Sequence, residues 1–227
     1  MERKQATLNS LSNSLSIPEL MTGFNARGGF VEQFLPLLLL LFICHAPVAL
    51  IWLEIIPFEH RFYAFLIALP GLAFFCFYRR YRLEELGFRI DTLKGALEPN
   101  LVFCAMGGIT LYIVNKTGML TPNSHRLFPY FYVVYIVFLG PVQEIIFRGI
   151  LFTEMKRIQN GSNHLFLWVS TLSFCFLHVI YRNPQMLVIA FISGLVWGII
   201  FMKRPNIWGV AFSHSFLGAF AILLGLI

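Results

Sequence analysis

The chain has 227 residues, of which 58% are hydrophobic and 12% charged, with a mean hydropathy of +0.73. Soluble domains carry about 25% charged residues, so the composition excludes a water-soluble globular domain and points to a polytopic membrane protein. The net charge of +6 does not mark a nucleic-acid binder, because the basic residues fall in short loops between apolar runs, where they set membrane topology.

Residues 1–28 are polar, with Asn9, Ser10, Ser12 and Asn13 among scattered leucines. They lack the ordered basic start, apolar core and small-residue cleavage site of a signal peptide. A cytosolic tail or a helix on the membrane surface is expected there, followed by one transmembrane domain over residues 29–227. Seven apolar spans are expected within it, at 34–53, 62–78, 101–114, 127–152, 165–181, 185–202 and 207–227. The fold class is therefore an all-α bundle of transmembrane helices. Pro36, Pro47 and Pro70 lie inside spans, where neighbouring helices can satisfy the carbonyls a proline frees. His45 reads as a hydrogen-bonded packing residue. Cys44, Cys76, Cys104 and Cys175 sit in apolar runs without metal-like spacing and read as reduced packing residues. The longest stretch between spans is 79–100, and no internal repeat is visible.

With seven spans, the N-terminal tail and alternate loops share one side. That side carries Arg79, Arg80, Arg82, Arg89, Lys94, Lys156, Arg157, Lys203 and Arg204, together with Arg3, Lys4 and Arg27 of the tail. The opposite side carries Arg61, Lys116, Arg126 and Arg182. This positive-inside bias places the N-terminus in the cytoplasm and the C-terminus outside.

Three later spans bury polar side chains. The fourth holds Gln143, Glu144 and Arg148, the fifth ends in Phe174-Cys175-Phe176-Leu177-His178, and the seventh holds Ser213-His214-Ser215. Ionised side chains at mid-bilayer cost ~2.5–3.5 kcal/mol each on insertion scales, so they normally face a bundle interior or a wet cavity. Glu144 and Arg148 are four residues apart and share a helix face, where each neutralises the other. Counted from span ends, Gln143, His214 and His178 differ in depth by about 9 Å at ~1.5 Å per residue, a spread that helix tilt absorbs.

A carboxylate beside histidines can take a proton from water while imidazole holds the water or supports a developing oxyanion. This suits hydrolysis of a peptide bond within the membrane. A zinc site of Glu144, His178 and His214 is a second possibility, and a proton pathway through a transporter is a third. The absence of paired inverted halves counts against the transporter.

The motifs Gln143-Glu144-x-x-x-Arg148, Phe174-x-x-x-His178 and His214-x-x-x-Gly218 resemble those of the CAAX protease and bacteriocin-processing (CPBP, or Abi) family of intramembrane endopeptidases. That family's motifs are Glu-Glu-x-x-x-Arg, Phe-x-x-x-His and His-x-x-x-Asn or a near variant. Leu86-Gly87-Phe88-Arg89 resembles the family's lead-in, and the likeness spans residues 80–227. It implies a multi-pass protein of a prokaryotic cell membrane that acts on a membrane-associated peptide or protein without a cofactor. Position 143 corresponds to the residue that activates water, Glu144 to the partner of Arg148, His178 to a water-positioning residue and His214 to the oxyanion side. Phe174 and Phe147 are expected to contact substrate.

Two departures touch catalysis. Gln143 is an amide, which can position water but cannot accept its proton near neutral pH. Gly218 stands where the third motif often has asparagine, leaving one oxyanion donor unaccounted for; Ser215 is one possible substitute. The glutamine reads as an inactivating glutamate-to-glutamine replacement, as the mark of a natural pseudoprotease that binds peptides without cutting them, or as a sign that Glu144 serves as base. The sequence-level expectation is an endopeptidase of this type, inactive or impaired as written.

Overall fold

The computed structural model describes residues 30–119, 129–158 and 162–225. The expected polar tail at 1–28, the start of the fourth span at 127–128, Arg126 and Ile227 lie outside the described residues. The chain divides into two units, Met1–Pro36 and Leu37–Ile227; of the first, only residues 30–36 are described, the opening turns of helix α1 (Phe30–Trp52). Helix α2 (Arg61–Arg79) follows a 3-10 turn at Phe58–His60. Then come α3 (Leu93–Lys116), α4 (residues 129–157), α5 (Asn163–Leu177) with a 3-10 turn at Val179–Tyr181, α6 (Pro184–Lys203) and α7 (Ile207–Leu223). The first six are long and apolar enough to cross a membrane, and α7 is a shorter apolar helix. A polytopic all-α bundle of about seven spans, the length class expected of bilayer-crossing helices, is what the chain forms.

Polar caps mark several starts. Ser162 Oγ accepts from the His164 amide, Asn183 Oδ1 accepts from Gln185 and Met186 just ahead of Pro184, and Asn206 Oδ1 accepts from Gly209. Each side chain satisfies a donor that the first helical turn leaves open, and Pro184 at the first position loses no bond.

The third span corrects the sequence reading, because α3 begins at Leu93 instead of 101. Its polar first turns are held by tertiary contacts. Ala96 and Asn100 are fully buried, and a Cβ on Gly209 of α7 would lie 3.2 Å from Ala96 Cβ, so the two backbones approach closely. Pro99 lies inside the helix and has no N–H for the Gly95 carbonyl four residues earlier. The Arg204 guanidinium donates to that carbonyl instead.

Between α2 and α3, the Leu86-Gly87-Phe88-Arg89 segment is tied down on several sides. Gly87 has φ +88°, a conformation that favours glycine, and its carbonyl accepts from Ile207 N at 2.8 Å. Leu86 is buried, with its carbonyl 3.0 Å from where a Gly149 Cβ would be. Thr153 Oγ1 donates to Glu85 O at 3.0 Å and Asn206 Nδ2 to Arg89 O at 2.5 Å. The buried Glu154 carboxylate joins the ends of α2 and α4. It accepts two bonds from Arg79, at 3.0 and 2.9 Å, and one from Tyr81 at 2.6 Å. Burial and this carboxylate push the Tyr81 phenol above its usual range, so it stays protonated and donating.

Helix α4 departs from regular α geometry in two π segments, Tyr135–Leu139 and Ile145–Ile150. In the first, Gly140 N bonds to the Tyr135 carbonyl five residues back. The next carbonyl, Ile136 O, would need the amide of Pro141, which has none. Ser215 Oγ of α7 supplies the donor at 2.9 Å. Gly140 makes this approach possible, since a Cβ there would sit 2.6 Å from Ser215 Oγ. Segments of this kind recur at functional sites, and here they flank the Pro141–Glu144 stretch.

Candidate active site

Glu144 and Arg148 are both fully buried, and Arg148 Nη1 donates to Glu144 Oε1 at 2.9 Å. This is the pairing expected from their spacing. The guanidinium also donates from Nη2 to Gly194 O at 3.1 Å, and its carbon lies 4.8 Å from the Phe174 ring centre and 5.7 Å from that of Trp197. Aromatic faces thus cover a charge that water does not reach. Glu144 Oε1 has a second partner, His214 Nδ1 at 2.7 Å, while Oε2 is buried with no partner.

The Glu144 contact fixes the tautomer of His214. An ionised carboxylate only accepts, so Nδ1 carries the hydrogen and Nε2 presents its lone pair. Trp197 stacks on the imidazole, with centroids 4.5 Å apart and planes 20° apart. The indole is held in turn: Trp197 Nε1 donates to Ser213 Oγ at 2.7 Å, and Ser213 Oγ donates to Asn100 Oδ1 at 2.7 Å.

His178 terminates α5 at the C-cap. Its Nδ1 donates to Phe174 O at 2.9 Å, a last-turn carbonyl without a helical partner. The expected fifth span at 165–181 therefore breaks at this histidine and continues as a 3-10 turn. Phe174 is 4.9 Å from the His178 ring and 5.3 Å from the His214 ring, centroid to centroid. Both histidines line one cavity of about 790 Å³ together with Tyr135, Phe174, Trp197 and Gly218. The rest of its wall is largely apolar, apart from Glu98, Thr110, Ser193, Lys203 and Arg204. The His178–Phe174 bond accounts for the Nδ1 hydrogen, so both imidazoles offer an unprotonated Nε2.

Gln143 does not line that cavity. It lines a second one of about 400 Å³ with Cys44, Phe62, Phe65, Phe131, Phe147 and Leu177, and its side-chain oxygen is buried without a hydrogen-bond partner. Phe147 is on the same side, 6.0 Å edge-on to Phe174. The structure thus gathers Glu144, Arg148, Phe174, His178 and His214, and sets Gln143 and Phe147 apart. His45 Nδ1 bonds to Leu41 O at 2.7 Å, as expected of a packing residue, and all four cysteines are free. Among the described residues no three His, Cys, Asp or Glu side chains form a metal-binding group. Tyr135, Trp197, Asn100 and Ser213 have places in the site that the motifs did not indicate. Ser213, a polar residue beside His214 in an apolar run, was the available signal for one of them, whereas Asn100 follows Glu98 and Pro99 in a polar stretch where nothing local marked it.

No curated protein and no solved structure matches the chain. Residues 125–220 match the family described as Rce1-like, type II CAAX prenyl endopeptidase, and because this stretch contains all three motifs, the resemblance they carry is borne out there.

Proposed function

We propose that the chain is an intramembrane endopeptidase of the CAAX-protease kind, cutting a membrane-associated peptide whose apolar portion enters the larger cavity. The observation that carries this reading is the buried Glu144–His214 hydrogen bond at 2.7 Å behind a cavity that both histidines line. A water donating to the two Nε2 atoms is held for attack on the scissile carbonyl. His214 Nε2 takes the water's proton as the oxygen–carbon bond forms. The Glu144 carboxylate and the Trp197 face stabilise the resulting imidazolium. As the carbon–nitrogen bond breaks, the same proton passes to the departing amine. Glu144 is thus a positioning and charge-stabilising residue, Arg148 holds it, and His178 anchors the water.

A second reading follows from one observation, the amide at position 143. If that position must carry the base, the protein as written binds peptides without cutting them. Cleavage of a fluorogenic S-farnesylated CAAX peptide by the purified protein in lipid separates the two. On the first reading the protein cuts and Glu144→Gln lowers kcat by about 10²–10⁴-fold, whereas Gln143→Glu gives no gain because that side chain faces the other cavity. Binding without cleavage, converted to cleavage by Gln143→Glu, would replace the first reading with the second.

A further inference from the structure

His214-x-x-x-Gly218 has no side chain at its fourth position, and the structure shows what occupies that space. A Cβ built on Gly218 would lie 2.0 Å from the Tyr135 hydroxyl oxygen, 2.5 Å from Cζ and 2.6 Å from Cε1. No heavier residue fits at 218 while Tyr135 holds its position. Tyr135 comes from a different helix, at the first residue of the π segment in α4. Its ring is 6.2 Å from that of His214, and it shares the cavity wall with both histidines. Among the described residues no hydrogen bond engages its hydroxyl, although a tyrosine buried to this degree usually finds a partner.

From this overlap we propose that the Tyr135 hydroxyl is the oxyanion donor of the site, filling from α4 the space that a third-motif side chain at 218 would fill from α7. The inference rests on the endopeptidase reading, and chemistry within the site calls for it. Both imidazoles face the cavity as acceptors, so neither donates to the carbonyl oxygen while a water is being deprotonated. A phenol donates a hydrogen bond without giving up its proton. It lies on the wall that a peptide carbonyl bound near His214 meets. The π segment matters because it sets the rotation of α4 at Tyr135, and Gly218 matters because any Cβ would displace the ring.

The test uses the full chain in lipid and the fluorogenic S-farnesylated CAAX peptide. Tyr135→Phe removes one oxygen that makes no hydrogen bond among the described residues, so folding should be unaffected. The expected result is a kcat lower by about 10²–10³-fold, the loss typical of one oxyanion donor, with KM little changed. Gly218→Asn in a Tyr135→Ala background should recover at least tenfold over Tyr135→Ala alone, because the vacated space then admits an amide donor. Full activity in Tyr135→Phe would overturn the tyrosine role and leave the endopeptidase reading standing. If the unsubstituted protein does not cut, that reading fails in its active form, and binding decides the tyrosine role. A peptidyl phosphinate, whose tetrahedral oxygens mimic the intermediate, should then lose about tenfold or more in affinity on Tyr135→Phe while the uncut peptide loses none. Equal affinities for the phosphinate would rule Tyr135 out.

Discussion

Replacing Arg148 by alanine isolates the structural half of the site. The residue is fully buried, and it donates to Glu144 Oε1 at 2.9 Å and to Gly194 O at 3.1 Å. Its loss strands the Glu144 carboxylate, whose Oε2 already lacks a partner, with only His214 beside it. Breaking a buried pair by removing one member costs ~3–5 kcal/mol, because an uncompensated charge stays behind. Truncation also empties the slot between Phe174 and Trp197, where the side chain packs. For a chain of this size each kcal/mol moves the midpoint by roughly 2–4 °C, so the expected loss is roughly 6–20 °C. Thermal unfolding in detergent micelles, with expression level as a second readout, measures it. Glu144→Gln combined with Arg148→Met removes both charges at similar volume. It should recover most of the lost stability without activity, since His214 loses its carboxylate. An Arg148→Ala protein within about 1 kcal/mol of the parent would refute the premise that the carboxylate needs its cation. So would a double variant less stable than Arg148→Ala.

Reporter fusions should place Arg80, Arg157 and Arg204 in the cytoplasm and a C-terminal fusion outside; a cytoplasmic C-terminus would show that α7 or another helix does not complete its crossing. Zinc analysis of the purified protein should give well below one equivalent, and chelators should leave thermal stability unchanged, whereas a stoichiometric metal lost together with His214→Ala would demand a different mechanism. At Gly218 the clash with Tyr135 predicts that Gly218→Ala alone destabilises the protein or displaces the ring. Tyr135→Ala should suppress that defect, and additive losses in the two variants would show that the positions do not share space.

Much of this protein is written locally in its sequence. Composition and the length of its apolar runs set an all-α membrane bundle, because backbone groups in hydrocarbon must be satisfied within each segment. The i, i+4 spacing of Glu144 and Arg148 sets their ion pair, and the same spacing lets His178 cap the Phe174 carbonyl. Neutralising charge in a dry interior is a local demand, so the motif residues stood out against their apolar surroundings. Helix ends were less legible. The early start of α3 rests on Gly209, Ser213 and Arg204, all more than a hundred residues away.

Which face of α4 meets the histidines was decided by tertiary structure alone. Neighbouring residues on a helix differ by ~100°, so spacing cannot say whether position 143 or 144 turns toward His214. The π segments change the rotation along α4, and the first leaves Ile136 O without a donor at Pro141, a gap that Ser215 fills from α7. The pairing of Tyr135 with Gly218 was hidden for a related reason. The space that a side chain at 218 would take is filled by a ring from another helix far away in the sequence, and only packing brings the two to the same place.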